Sequence, residues 1–319
     1  MTITNATIAG MAGSERKMQV AVDRIRTETN ELVGSGLAAT TAEVQALANG
    51  GARKVSLDYV KPLSADVFNV SNDDINDEGD VGGMEGATFN AMRLDLNYAF
   101  GTTDLTQIVT GYAKDGDIRA GLAGYQNAVT KGLVGSTLVG VKAALEGNAL
   151  ITHDVATGFD WQAIYDAAAT AEEWSNLFNV MIVSHGRYAK MQGAQNGFVA
   201  PSDSNTRFAS AQGYTLIKSN TLTDDQVITA RTGALAYGEG TAQQAFEVER
   251  KANGGNGGGA DILHTRFSRV AQPIGMSYEG AIPTSQAAVK AALEAAASWE
   301  LVAPEAQFGF RFINFNVAP

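Results

Sequence analysis

The chain has 319 residues, with 23 basic and 34 acidic side chains and a formal net charge of -11. This acidic balance argues against tight nucleic-acid binding, because such binding needs Lys and Arg to displace counterions from phosphates. The chain contains no cysteine, which excludes disulfides, thiolate metal sites and cysteine nucleophiles. Charged residues make up 18% of the chain, below the roughly 25% of typical globular proteins. The composition therefore favours a subunit whose surfaces contact other subunits.

Residues 1–50 predict an N-terminal arm with two short helices rather than a domain. The first helix is indicated by residues at helical spacing, namely Met18, Val22, Ile25, Thr29 and Leu32. The second begins with a capping box at residues 40–43 and ends at residues 49–51. Because two short helices bury little surface by themselves, we expect the arm to lie on another element or subunit.

The pattern then changes to alternation of apolar and polar residues. Val55, Leu57 and Tyr59 share one face of a predicted strand, and residues 92–100 alternate in the same way. The segment between them, residues 71–86, is polar and acidic, and it is much longer than the usual hairpin loop of about 2–5 residues. We therefore expect a long hairpin with an oversized tip. A two-stranded ribbon is barely stable alone in water, so this hairpin is expected to lie on a neighbouring molecule.

Residues 103–147 predict a long helix of about 30 residues, which spans about 45 Å. Its apolar stripe consists of Ile118, Leu122, Tyr125, Val129 and Leu133. Four glycines lie inside it, and either close packing of another backbone or a kink would explain why they are tolerated: Gly121, Gly124, Gly132 and Gly135.

The remaining elements are interleaved helices and strands. Helices are predicted at 159–178, 185–192 and 285–297, and strands at 180–183, 214–219, 226–236, 245–250, 262–270 and 308–317. In the first of these helices Asp160 is the expected cap, and the expected core residues are Trp161, Ile164, Ala168 and Trp174. The interleaving shows no steady βαβ period, so the α+β class is favoured over a doubly wound α/β fold.

One motif in the acidic tip is close to a calcium-binding loop of the EF-hand type. Residues 74–85 offer oxygen ligands at positions 1, 3, 5 and 12, which are Asp74, Asn76, Glu78 and Glu85. The flanking segments read as strands, whereas the motif needs helices. A solvated or partner-facing acidic tip is therefore the preferred interpretation, no metal site is assigned, and a calcium-binding module stays open as an alternative.

No catalytic or cofactor-binding residue emerges, and no cofactor is expected. The histidines His153, His185 and His264 are far apart, and Ser184 beside His185 lacks the surrounding glycines of a nucleophile elbow. The glycine run at 254–259 lacks the Lys-Ser/Thr ending of a phosphate-binding loop, so a flexible turn is expected. An unrecognised hydrolase would need three polar groups converging in a pocket, and the sequence selects no such set.

The second half of the chain resembles the tailed-phage major capsid proteins. An apolar strand followed by a small helix begins the resemblance, and a series of short segments continues it in order, at 183–192, 213–220, 232–239, 246–250, 261–266, 273–278, 298–302 and 310–314. The resemblance covers roughly residues 160–319, and the upstream hairpin and long helix also fit. One departure is Gln272 before Pro273, where relatives often have His.

The resemblance implies the Hong Kong 97-type capsid fold. On this chain it places an N-terminal arm at 1–50, an extended hairpin called the E-loop at 51–100, a peripheral domain with a long spine helix at 101–150 and 245–319, and an axial domain at 151–244. It implies a structural protein and not an enzyme, which self-assembles through pentamers and hexamers into an icosahedral head around double-stranded DNA. The expected location is the virion capsid, after assembly in the bacterial host cytoplasm.

The same resemblance suggests partners. Besides itself, the chain is expected to meet a separate scaffolding protein, a portal, a decoration protein in some systems, and packaged DNA contacted non-specifically. No membrane partner is expected, because no window approaches 18 apolar residues, and no secretory signal is recognised. The candidate subunit-interface residues are the acids of the tip, expected to meet a basic patch on an adjacent subunit: Asp73, Asp74, Asp77, Glu78 and Asp80. An encapsulin-type nanocompartment, which has the same architecture but holds protein cargo, stays open as an alternative.

Overall fold

The computed structural model describes residues 20–22, 24–25, 31–50, 52–60, 68–71, 73, 76, 78–83, 86–105, 115–194, 197–201 and 208–317. The helices, in chain order, are α1 Glu31–Gly34, α2 Ala42–Asn49, α3 Asp115–Ala144, α4 Trp161–Ala169, α5 His185–Ala194 and α6 Gln286–Glu294. The strands are β1 Ala38–Ala39, β2 Lys54–Val60, β3 Gly86–Thr103, β4 Thr152–Val155, β5 Phe178–Ser184, β6 Phe198–Val199, β7 Ser210–Ala211, β8 Tyr214–Ser219, β9 Gln226–Arg231, β10 Leu235–Lys251, β11 Ala260–Pro273, β12 Met276–Tyr278, β13 Trp299–Leu301 and β14 Phe310–Phe315. Among these residues, no helix combines the length and apolarity needed to cross a membrane.

Two sheets organise the chain. One has five strands in the order β1-β10-β11-β3-β2, and the other has seven in the order β4-β14-β9-β5-β8-β7-β6. A third, small ribbon joins β12 to β13. Both large sheets mix parallel and antiparallel pairs. In the five-stranded sheet, β1 is parallel to β10, whereas β11 is antiparallel to both β10 and β3. The predicted α+β class agrees with this arrangement.

The seven-stranded sheet is covered on both faces, which explains why β5 is a continuous apolar run. Val180 and Ile182 point into the main core, whereas Met181 and Val183 point into a second core beneath α4. Successive side chains of a strand alternate between faces, so only a strand buried on both sides is apolar at every position.

The 30-residue helix α3 has the predicted length, but its buried face is not the predicted stripe. Leu122 is buried as expected, whereas Tyr125, Val129 and Leu133 are only partly buried. The polar residues Gln126 and Thr130 take the buried positions instead.

The cause is a buried cation on the sheet beneath the helix. The Nε atom of Arg269 donates to Thr130 Oγ1 at 3.2 Å, and its Nη2 atom donates to Gln126 Oε1 at 3.3 Å. A buried guanidinium needs acceptors for its donors. Apolar periodicity alone therefore misplaced the buried face of the helix by about one residue position.

The predicted helix at 159–178 is two elements. Asp160 caps α4 as expected, with its Oδ1 atom accepting from Gln162 N at 3.1 Å. The helix ends at Ala169, and a 3-10 helix at Glu172–Leu177 follows after Glu172 adopts a positive φ of 52°. Trp174 is therefore not a core residue: its side chain is 40% exposed and lies 5.6 Å from the Arg231 guanidinium.

The predicted strand at 226–236 is also divided. β9 ends at Arg231 and β10 begins at Leu235. The prediction was wrong here because β9 belongs to the seven-stranded sheet and β10 to the five-stranded sheet. Residues 232–234 carry the chain from one sheet to the other, and continuous β propensity cannot reveal that crossing.

The second arm helix lies on the chain's own sheet. Thr41, rather than Thr40, caps α2, and its Oγ1 atom accepts from Val44 N at 3.3 Å. α2 packs so closely on β10 that a Cβ at Gly240 would lie 2.0 Å from the Ala48 carbonyl oxygen. Part of the arm is thus covered within the subunit. The predicted first helix is helical at residues 20–22 and 24–25, with Val22 buried, while Met18 and Thr29 lie outside the described residues.

Candidate assembly surfaces

The predicted hairpin forms, and its two strands are held in a definite register. β2 pairs antiparallel with the first part of β3, from Lys54 opposite Met92 to Val60 opposite Gly86. The described pairing of the two strands ends at Val60 and Gly86.

The second part of β3 has a different partner. From Arg93 to Thr103 it pairs with β11 in the five-stranded sheet. Its aromatic side chains pack against α3, where Tyr98 and Phe100 lie 5.5 and 5.4 Å from the Tyr125 ring. The apolar face of residues 92–100, which was expected to need a neighbouring molecule, is therefore covered in part by the same chain: Met92 is buried, whereas Tyr98 stays 52% exposed.

The tip combines exposed apolar and acidic side chains. Phe68, Val70 and Val81 are 77%, 79% and 96% exposed. The two sides of the tip are joined where Asn69 Nδ2 donates to the Asp80 carbonyl oxygen at 2.7 Å. They are the most exposed large apolar side chains among the described residues, and exposed apolar groups close together on a surface indicate an interaction site.

Three of the five acidic candidates of the tip lie among the described residues. Asp73, Glu78 and Asp80 are exposed, whereas Asp74 and Asp77 lie outside the described residues. The sequence did not predict Phe68, Val70 and Val81 as interface residues, because they are few and lie within an acidic, polar segment.

The calcium-loop candidates are not brought into a cluster that the structure describes. Asn76 and Glu78 are exposed, and Asp74 and Glu85 lie outside the described residues. The described part of the chain holds no group of three or more acidic, His or Cys side chains with metal-binding geometry. The elements that precede and follow the tip are β2 and β3, not the helices that an EF-hand needs.

The outer face of α3 is lined by glycines with free space above them. A Cβ at Gly121, Gly124 or Gly132 would have no heavy atom within 4 Å. Gly135 instead faces Thr221, whose side chain would lie 2.6 Å from an added Cβ. The close backbone packing expected at these four positions is therefore absent from the described part of the subunit, except that Gly135 touches a side chain.

At the end of β5, a polar cluster fixes helix α5. Ser184 Oγ donates to Asp224 Oδ1 at 2.6 Å and accepts from Arg187 N at 2.9 Å. Lys190 Nζ also donates to Asp224 Oδ2 at 2.9 Å. The hydrogen bond from the Ser184 hydroxyl, which has the largest effect, and the hydrogen bond from Lys190 lower the pKa of the Asp224 carboxyl. The Ser184 hydroxyl thus caps a helix, and its sequence neighbour His185 plays no part in these bonds.

Beside this cluster lies an open cleft of about 500 Å³. Its walls come from the start of α4 and from α5, and they consist of Phe159, Asp160, Trp161, Arg187, Lys190, Met191 and Ala194. The Arg187 guanidinium lies 4.7 Å from the Phe159 ring. The cleft is open and lined by both charged and apolar side chains, and its cations are already engaged by Asp224 and Asp225.

The architecture has counterparts among solved structures. A structure from Microbacterium phage Oxtober96 matches with a TM-score of 0.54 and 13% identity, covering 88% of this chain and 90% of its own. The capsid of Ralstonia phage GP4 matches with a TM-score of 0.53 and 11% identity, covering 89% of each chain. The chain has a phage capsid fold.

No family model matches the sequence, and no curated protein matches it. The capsid fold is therefore recognised from the structure, at identities where sequence comparison gives no signal. The predicted α+β capsid architecture is confirmed, with the long helix and the protruding hairpin in the predicted places. Both structures come from phages.

Proposed function

We propose that this chain is the major capsid protein of a tailed double-stranded DNA phage, a structural subunit that self-assembles into an icosahedral head. The observation that carries the proposal is the match of nearly the whole chain to capsid architecture, at 89% of both this chain and the Ralstonia phage capsid. The protruding hairpin supports it, because its tip presents apolar side chains that the described part of the subunit does not cover.

The tip supplies the driving force for contact with a neighbouring subunit. Fully burying a side chain such as Phe68, Val70 or Val81 contributes about 1.5–3 kcal/mol each. Association costs rigid-body and side-chain freedom, so a single tip contact is weak on its own. In a closed shell every subunit gives and receives such contacts, and weak contacts then add through multivalency.

The acids of the tip set register rather than affinity. Asp73, Glu78 and Asp80 are exposed on the same tip, and we propose that they and Asp74 and Asp77 face a basic patch on the adjacent subunit. Exposed charge pairs contribute little net energy but exclude wrong docking positions and make association depend on salt.

We propose the finer organisation on the same basis. The arm is residues 1–50, the E-loop 51–100, the peripheral domain 101–150 with 245–319, and the axial domain 151–244. The seven-stranded sheet of the axial part also includes β14, which pairs with β4 and β9. Assembly in the host cytoplasm through pentamers and hexamers, with a scaffolding protein, a portal, an optional decoration protein and non-specific contact with DNA, completes the proposal.

The first test is electron microscopy and sedimentation of the purified protein, in which we expect icosahedral shells. Particles containing double-stranded DNA support the phage head, and particles containing an enzyme support the nanocompartment. A protein that remains a monomer at high concentration, with or without phage components, contradicts the proposal.

A second test separates the two parts of the tip. One variant replaces Phe68 and Val81 with Ser, and another replaces the five tip acids with Asn or Gln. The matched control replaces the exposed acids Glu172 and Glu173 with Gln. We expect the Ser variant to lose shells, the amide variant to assemble with a weaker dependence on salt and more malformed particles, and the control to assemble normally. Normal shells from both tip variants would reject the role of the tip.

A further inference from the structure

A polar network holds the base of the hairpin to the body of the subunit. Glu279 follows β12, and its Oε1 atom accepts hydrogen bonds from the Ser277 hydroxyl and from Asn90 Nδ2, the latter at 2.8 Å. Its Oε2 atom lies 3.5 Å from Lys54 Nζ. Lys54 is on β2 and Asn90 is on β3, so one carboxylate binds both strands of the hairpin.

The element that carries this carboxylate is rigid. Met276, Ser277 and Tyr278 are buried, and β12 pairs with β13 through Tyr278 opposite Trp299. The chain is fixed immediately afterwards, because Glu279 N donates to the Ser298 carbonyl oxygen at 2.8 Å. The network therefore joins the hairpin to a part of the core that has little freedom to move.

Strand β3 of the hairpin is hydrogen-bonded on both sides at Asn90. The backbone N–H of Asn90 donates to Ser277 Oγ at 2.9 Å, and its side-chain Oδ1 accepts from Ser56 Oγ at 2.8 Å. Beyond this point, Gly86 and Thr88 are exposed. Asn90 is thus the last position at which hydrogen bonds to β12 restrain the described part of β3.

Charge strengthens this attachment. The hydrogen bonds from Ser277 and Asn90, and then the Lys54 ammonium, lower the pKa of the Glu279 carboxyl. The group is therefore ionised at neutral pH, and its bonds are charge-assisted, which makes them roughly twice as strong as neutral ones.

Because the network lies at the base of the hairpin, a small rotation there displaces the outer part of the hairpin by a larger distance. At about 3.3 Å per residue, Gly86 lies about 13 Å along the strand from Asn90, so a rotation of about 10° at the base moves it by about 2 Å. The tip lies further out and moves more. A displacement of that size removes side-chain contacts, because dispersion contacts weaken steeply when atoms separate by about 0.5–1 Å.

We propose that Glu279 is a positioning residue that fixes the angle at which the hairpin leaves the body, and so determines whether the tip reaches its site on the neighbouring subunit. This inference rests on the proposed shell function. The mutual orientation of hairpin and body is set by the Ser277–Glu279–Asn90 bonds, with Lys54 holding the second strand.

The angle is measurable in unassembled subunits. The chain has no cysteine, so two spin labels at introduced cysteines report one distance. Gly86→Cys labels the hairpin and Ala287→Cys labels α6, both at exposed positions, and a Cβ at Gly86 would meet no heavy atom within 4 Å. The variants are Glu279→Ala and Glu279→Gln, and the matched control is Glu300→Gln on the adjacent strand β13.

We expect a single narrow distance in the parent and in Glu300→Gln, and a distribution broadened or shifted by at least about 2 Å in Glu279→Ala, the displacement derived above from the strand rise. Glu279→Gln keeps an acceptor oxygen for Asn90 and Ser277, so its distribution should lie between the two. Amides of β2 and of residues 86–92 should exchange faster with deuterium in Glu279→Ala while the remaining amides keep parent rates. Shell yield should fall in the same order as the distance broadens.

An unchanged distance in Glu279→Ala overturns the proposal, and so does a changed distance with normal shell yield. If Glu279→Ala does not fold, the comparison uses Glu279→Gln combined with Lys54→Met, which removes both charges; its distance distribution should be broader than that of Glu279→Gln alone, and a distribution equal to the parent's overturns the proposal. The distance measurement needs no shells, so a parent protein that never assembles rejects the proposed function without altering the test of the angle.

Discussion

Two glycines of helix α3 have opposite roles in stability, and alanine substitution separates them. At Gly132 an added Cβ meets no heavy atom within 4 Å. At Gly140 it would lie 1.9 Å from the Leu293 carbonyl oxygen and 2.8 Å from Trp299 Nε1. The same chemical change therefore occurs once in open space and once against the backbone of α6.

At Gly132 only the intrinsic preference of the helix changes. Alanine in a helix interior is more favourable than glycine by about 0.8–1.0 kcal/mol. Gly132→Ala should therefore raise the free energy of unfolding of the isolated subunit by up to that amount.

At Gly140 the gain in helix preference is outweighed by the steric cost of the added methyl. The added methyl forces α6 outward, and overpacking of this kind costs about 1–3 kcal/mol. The shift also disturbs the buried hydrogen bond from Trp299 Nε1 to the Leu293 carbonyl oxygen, which measures 2.8 Å; an unsatisfied buried donor costs about 1–3 kcal/mol more. The expected net loss for Gly140→Ala is about 1–5 kcal/mol.

Urea unfolding of unassembled subunits, followed by tryptophan fluorescence, measures both variants on one scale. The expected result is a higher midpoint than the parent for Gly132→Ala and a lower midpoint for Gly140→Ala. A Gly140→Ala protein as stable as the parent would refute the close approach of α6 to α3. A destabilised Gly132→Ala would refute the open space above that residue.

Two buried groups give further predictions. Burial lowers the pKa of His153. The unfolded state therefore takes up the proton first, and the free energy of unfolding decreases as the pH falls below about 6.5. In His153→Asn the fall in urea midpoint between pH 7.5 and pH 5.5 should be smaller than in the parent, and an equal fall would contradict this. Burial also lowers the pKa of Arg311 to about 10, and its Nη1 atom donates to the Phe308 and Phe310 carbonyl oxygens at 2.8 and 2.9 Å. Arg311→Lys should lower the free energy of unfolding by about 2–3 kcal/mol, because a lysine has fewer donors and no planar fork; the exposed control Lys290→Arg should change it by less than about 0.5 kcal/mol.

The elements with strong local patterns were predictable from the sequence. Strand β8 matches the predicted range 214–219, and Ser285 caps α6 through its hydroxyl, which accepts from Ala288 N at 3.3 Å. These features depend on alternation and on cap chemistry, which are properties of a few neighbouring residues.

Features that depend on distant partners were not predictable. The buried face of α3 follows from Arg269, which lies more than a hundred residues later in the chain. Arg311 is fully buried at the end of the chain and bonds to Thr170 at 2.9 Å. A charged residue in a strand normally indicates a solvent-exposed face, and the acceptors that permit its burial come together only in the folded protein.

The two parts of β3 define which surface remains for other subunits. Residues 93–103 were expected to need a neighbour, but β11 pairs with their backbone and Tyr125 of α3 packs against their aromatic rings, which leaves Tyr98 half exposed. The first part of the strand pairs only with β2 among the described strands and extends to a tip whose apolar groups stay in water. Because Phe68, Val70 and Val81 of the tip are the most exposed large apolar side chains among the described residues, contact between subunits has most to gain there. The Glu279 network then acts where it has the greatest effect, at the point where β3 leaves one sheet partner for the other.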